Sequence, residues 1–206
     1  MLQYFTDMDS YHLRWFRAVG VGLFFWLVCF TRTAVAFPGF QEKRWELRAG
    51  YGYQYTNESR PHNFQVLSLL PSLSVPLSDP MGPSFIRGRW EWMPELHLAL
   101  FTHPYVRPIF GITPLQFSYN LEPWGGRVSP YVFVGAGVLR TYVNRRETGS
   151  RINFNPQGGV GTRIKLTDRT SLILEYRHIH ISNAGLNEDN SGVNTHNFLF
   201  GISLKN

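Results

Sequence analysis

From residue 37 onward the chain falls into segments of about 10–20 residues in which apolar and polar side chains alternate, separated by polar or Gly/Pro-rich breaks. Alternation of period two is the signature of a strand with one face in each of two environments. The breaks predict eight strands, over 45–55, 63–77, 84–103, 106–120, 129–143, 151–166, 169–182 and 194–204. The sixth is the plainest. Its even positions Ile152, Phe154, Val160, Ile164 and Leu166 are apolar, while Asn153, Asn155, Gln157, Arg163 and Lys165 occupy the odd ones. The fifth is apolar on both faces, with Gly135 and Gly137 supplying room for a tightly filled interior. Pro71, Pro76, Pro94, Pro108 and Pro114 interrupt the ladders of the second, third and fourth.

Eight alternating strands with no apolar run of helix-spanning length predict an all-β, eight-stranded antiparallel up-and-down transmembrane β-barrel, its lumen filled by side chains. Composition agrees. The 206 residues are 16% aromatic and 17% charged, yet the mean hydropathy of −0.19 is too polar for a bundle of membrane helices. Trp45, Trp90, Trp92 and Trp124 are expected in interfacial aromatic girdles. The chain ends in "ISLKN" rather than on an aromatic residue, a departure from many outer-membrane strands.

Ahead of the strands, Arg14 and Arg17 precede "AVGVGLFFWLVCF" (18–30) and the small residues Ala34 and Ala36. Basic region, short apolar core and small-residue site predict a signal peptide over 1–36 and a barrel domain over 37–206. The one cysteine, Cys29, lies in that apolar core, so the exported chain would have neither disulfide nor thiolate chemistry. The net charge of +6 becomes +5 without residues 1–36. That balance suits an anionic surface such as lipopolysaccharide, and nothing suggests nucleic acid.

The seventh strand poses the chemical question. Leu172, Leu174, Tyr176, His178, His180 and Ser182 share one face, whereas Glu175 and Arg177 share the other and suit a polar lumen. In the eighth, Phe198, Phe200, Ile202 and Leu204 set the outward parity, which Asn194 and His196 also occupy. Two adjoining strands thus present His180, Ser182, Asn194 and His196 to lipid. With both termini periplasmic, the 183–193 connection lies outside the cell, at the level of the outer leaflet. Polar groups facing hydrocarbon are costly and call for a function. Read alone, Ser182-Asn183-Ala184-Gly185 is equally a strand running into a turn. His178 is expected to be interfacial filler, and His196 is open between packing and a part in the site.

"RHIHISNAGL" (177–186) followed by "NSGVN" (190–194) resembles the His-x-Ser-Asn-Ala-Gly signature of the PagL family, outer-membrane lipid A 3-O-deacylases also called acyloxyacyl hydrolases. The resemblance implies an ester hydrolase with Ser182 as nucleophile and His180 as its general base. It implies oxyanion support from the segment Asn183, Ala184 and Gly185, or from a side-chain amide of Asn183 or Asn190. It requires neither cofactor nor metal. Its partners would be lipid A and the other outer-membrane lipids, with a homodimer among the open assembly states. Asn194 stands where the family pattern has glutamate. An amide can orient the imidazole but cannot stabilise imidazolium with a full charge, unless Glu188 or Asp189 supplies one. Arg60, Arg145, Arg146 and Arg151 fall near extracellular connections, where they would meet lipid A phosphates or water. Two other classes remain open: a catalytically silent barrel of the same family, and a small soluble periplasmic barrel that binds an apolar ligand.

Overall fold

The computed structural model describes residues 42–54, 63–122, 124–143, 145–187 and 190–205, without the side chains of Arg145 and Arg146. The predicted signal peptide, Arg60, Glu188 and Asp189 lie outside the described residues.

Ten strand segments form one closed antiparallel barrel of eight staves. They are β1 (Arg44–Tyr53), β2 (Gln65–Pro76), β3 (Gly88–Trp92), β4 (Glu95–His103), β5 (Arg107–Leu121), β6 (Val128–Thr141), β7 (Ile152–Phe154), β8 (Gln157–Lys165), β9 (Thr170–Ile181) and β10 (Val193–Lys205). A helical turn, α1 (Arg145–Thr148), precedes β7. β3 and β4 make one stave between β2 and β5, interrupted at Met93-Pro94. β7 and β8 make another beside β6, interrupted at Asn155-Pro156. Proline has no N–H to give the ladder, so each stave breaks there. Side-chain parity survives both breaks: Glu91, Met93, Glu95 and His97 all point inward, as do Asn153, Asn155 and Gln157. β1 closes the ring on β10, from Arg44 opposite Lys205 to Tyr53 opposite His196.

The expected third stave began at 84, but β3 starts at Gly88. Gly82, at φ 95°, turns the chain, and Met81 bridges to Gly88. Tyr119 Oη then ties the turn by donating to the carbonyls of Met81 and Ile86, at 3.1 and 2.9 Å. In β5 the pairing slips between Ile112 and Leu115, at Pro114. Inward positions are odd before the slip (Ile109, Thr113) and even after it (Gln116, Ser118, Asn120). A bulge inserts one unpaired residue, and the face reverses.

The wall is apolar. Leu47, Leu69, Leu98, Phe110, Leu115, Val134, Val160 and Phe200 all project outward and are exposed. A band this continuous is incompatible with water as the surrounding solvent and matches a hydrocarbon one. Trp45, Trp90 and Trp124 project from the wall toward the end where the described chain begins and finishes. Trp92 is half-buried, and its indole N–H donates to the Pro114 carbonyl at 2.7 Å.

Inside, the lumen has two storeys. One is ionic: Arg177 grips Glu95 through two bonds of 2.7 and 3.0 Å and donates Nε–H to Glu175 at 2.7 Å. Arg48 meets Glu175 at 2.9 Å, and Arg163 meets Glu46 at 2.7 Å. The pairing read into Glu175 and Arg177 is therefore present. Toward the β9–β10 connection the filling turns apolar, with Phe64, Val66, Phe101, Ile109, Leu139, Ile179, Ile181 and Val193 in one cluster. That plug explains why Ile179 and Ile181 share the inward face of β9. Gly135 points inward, and a Cβ there would come within 2.9 Å of Gln116, so the small residue makes room for lumen filling.

Candidate active site

β9 and β10 pair with His180 opposite Asn194 and His178 opposite His196. These residues take the outward parity, since their neighbours Ile179, Ile181, Thr195 and Asn197 are buried in the lumen. The outward placement expected for His180 and Asn194 is thus met. The imidazole and the amide touch: His180 Nδ1 and Asn194 Oδ1 are 2.7 Å apart. An amide oxygen can only accept, so Nδ1 carries a proton and donates it in this contact. Gln54, which the sequence reading did not single out, fixes Asn194 from behind, its Oε1 accepting the Asn194 backbone N–H at 2.9 Å.

Ser182 follows two positions beyond His180. β9 ends at Ile181, and Ser182 continues as an isolated bridge, its N–H donating to the Phe154 carbonyl at 3.1 Å and its carbonyl accepting from Phe154 N–H at 2.8 Å. The residue is 8% exposed. The structure therefore holds its backbone firmly and joins His180 to Asn194, but it makes no hydrogen bond between the Ser182 hydroxyl and His180 among the described residues. Neighbours at i and i+2 on one strand face lie about 6.5–7 Å apart at Cα, within reach of side-chain convergence.

Beyond Ser182 the chain turns tightly. Asn183 is fully buried, and its Oδ1 accepts the Gly185 N–H at 2.8 Å. Ala184 takes φ 56° and Gly185 φ 79°, the left-handed conformation that such turns use. Asn190 Oδ1 accepts the Asn183 N–H at 3.1 Å across the loop. The Ala184 N–H and the Asn190 side-chain NH2 remain without a partner among the described residues.

Gly192 completes the surround and was also missed. It sits at φ 70°, and a Cβ built on it would lie 2.8 Å from His180 Cε1. Glycine alone leaves that ring edge clear. Its N–H donates to the Glu147 carbonyl of α1 at 2.8 Å, so the 142–151 connection holds it against the imidazole. The sequence cue was the glycine in the quoted "NSGVN" segment; the contact itself needs two loops to meet.

His178 and His196 form a ladder beneath. Their ring centroids are 4.9 Å apart, and His196 Nδ1 shares a 2.7 Å hydrogen bond with Tyr176 Oη. His196 also stacks on Tyr176. That resolves its reading toward packing. Among the described residues no group of three or more metal-binding side chains occurs. Arg151 is exposed.

A closed eight-stave barrel with an apolar wall, a plugged lumen and a hydrogen-bonded His180–Asn194 pair at outward-parity positions defines a small membrane barrel with polar groups on its lipid-facing side. The sequence model of the family described as Lipid A 3-O-deacylase (PagL) matches residues 89–203, more than half of the chain, and the chain belongs to that family. Among solved structures, the outer membrane enzyme PagL matches at 18% identity over 77% of this chain and 97% of that one, with a TM-score of 0.56. Neisserial surface protein A (NspA) matches at 13% identity over 80% and 97%, with a TM-score of 0.55. Two barrels of such low identity establish a shared fold. No curated protein matches the chain in sequence.

Proposed function

We propose that this protein is an outer-membrane serine esterase that removes an ester-linked 3-hydroxyacyl chain from lipid A. The observation that carries the reading is the His180–Asn194 hydrogen bond on the outward face of β9 and β10, one step from Ser182. With Nδ1 donating to Asn194, Nε2 is the nitrogen left to act as base. Ser182 Oγ attacks the ester carbonyl while His180 Nε2 accepts its proton. The tetrahedral oxyanion is met by the unengaged donors near the turn, the Ala184 N–H or the Asn190 amide. Collapse breaks the C–O bond to the sugar oxygen, which takes the proton from His180. Water, activated by the same imidazole, then releases the fatty acid from Ser182. Hydrogen bonds of this kind are often loose until substrate is bound, which accommodates the unjoined Ser182 hydroxyl.

In this reading residues 1–36 direct export, and the 183–193 connection faces the exterior, beside the leaflet where lipid A resides. Family membership supports the substrate class. The test is the lipid A mass spectrum of cells expressing the protein. Loss of one 3-hydroxyacyl chain is expected with the native chain and not with Ser182→Ala. A loss that persists in Ser182→Ala rejects the mechanism. No loss with either protein favours a silent barrel.

A further inference from the structure

The opposite end of the barrel carries a feature that the esterase reading does not use. Four neighbouring staves each bring a basic residue to an inward-parity position at that rim. Arg127 stands just ahead of β6, Lys165 ends β8, Arg169 stands just ahead of β9, and Lys205 ends β10. Each shares parity with a buried residue of its own stave, namely Tyr131, Arg163, Ile173 and Ser203 respectively. All four side chains line one recess at the mouth of the lumen.

One step deeper the same staves carry Ser129, Ser171 and Ser203, where most of the lumen is filled by large charged groups. The small hydroxyls leave a recess of about 200 Å³, floored by Arg44 and Arg163 and rimmed by the four cations. The floor is neutralised, because Arg163 pairs with Glu46 at 2.7 Å and Arg44 pairs with Glu91. The rim is neutralised only in part. Lys165 meets Asp168 at 2.7 Å and the Glu42 carboxylate acts on Lys205 through space, but Arg127, Arg169 and Lys205 form no ion pair with any described residue. The hydroxyls of Ser129 and Ser171 likewise have no hydrogen-bond partner among the described residues, while Ser203 Oγ donates to Glu46 Oε1 at 3.1 Å. Like charges gathered around a concave mouth repel one another and raise the local concentration of anions. Guanidinium forks and hydroxyls together suit a tetrahedral oxyanion with several acceptor oxygens.

We propose that this mouth is a phosphate-binding site, taking a phosphate group from a phospholipid headgroup or from a soluble phosphate ester. Purified protein in detergent micelles, titrated calorimetrically with inorganic pyrophosphate at low ionic strength, tests the soluble source. Protein in phosphatidylcholine nanodiscs with and without phosphatidylglycerol, followed by phosphorus NMR, tests the lipid source. Binding in either arm is expected, weakened about tenfold or more in Arg169→Gln/Lys205→Gln and unchanged in Arg140→Gln at the far end. Acetate is not expected to compete. The exposed rim positions leave the lumen network intact, and Ser171→Val gives a second variant that removes only a hydroxyl and is also expected to weaken binding. Pyrophosphate binding assigns a soluble ligand, and a signal confined to phosphatidylglycerol discs assigns a headgroup. Failure of both probes, full binding by the double variant, or equal competition by acetate overturns the proposal.

Discussion

At the scale of single residues, the 2.7 Å contact between His180 Nδ1 and Asn194 Oδ1 sets the tautomer but supplies no formal charge. A carboxylate at 194 would make the same bond charge-assisted and, in the proposed mechanism, would stabilise the imidazolium formed when His180 takes the Ser182 proton. Asn194→Glu is therefore expected to raise kcat for lipid A deacylation by about tenfold or more, given a charged hydrogen bond worth about 1.5–3 kcal/mol. An unchanged or lower kcat would count against a rate limited by the missing charge. Gly192 offers a sharper geometric test. Gly192→Ala combines a left-handed φ of 70° with a Cβ only 2.8 Å from the imidazole. Displacing the ring by about 1 Å is expected to lower kcat about a hundredfold while leaving KM and heat-modifiable migration on gels unchanged. If activity survives, the imidazole does not need its present place.

At the scale of elements, alternation carried most of the information. The parity of β7/β8, β9 and β10 could be read directly, since each stave separates two solvents and each wrong-facing residue would be costly. Val160→Arg, on the outward face of β8, tests that reading. It is expected to destabilise the barrel in phospholipid vesicles by about 2–4 kcal/mol, measured by denaturant titration, whereas a cost near zero would place Val160 away from hydrocarbon. The prolines were visible but their effects were not. Pro94 and Pro156 each split a stave without changing face, whereas the bulge at Pro114 reverses it. Which outcome follows depends on how the partner stave absorbs a missing donor, and that is a property of two strands. Of the candidate site, the pairing of His180 with Asn194 was legible because both lie on strands whose face was already fixed. Gln54 and the placing of Gly192 were not, because each depends on a contact with a distant part of the chain, and the clasp of Asn190 on Asn183 was not, because it depends on how the 183–193 connection folds on itself.

At the scale of the whole molecule, stability rests on charges that must find partners far along the chain. Glu46 on β1 meets Arg163 on β8, and Arg177 on β9 meets Glu95 on β4. Buried ion pairs of this kind contribute little net stability over an apolar filling, yet removing one partner strands the other. Arg177→Met is expected to cost about 3–5 kcal/mol in denaturant unfolding, by leaving Glu95 without its arginine in the lumen while Glu175 keeps Arg48. Arg177→Met/Glu95→Gln should recover a measurable part of that loss, and a double variant no more stable than the single one would show that the pair was never coupled.

The two-storey filling of the lumen has a consequence for how the protein meets its surroundings. With salt-bridged arginines through one part of the bore and packed apolar side chains under the other end, the described residues fill the axis against a passing solute. Every molecule this barrel handles must come to it sideways through the bilayer or stop at one of its two rims, so the barrel acts as a post planted in the membrane and not as a doorway through it.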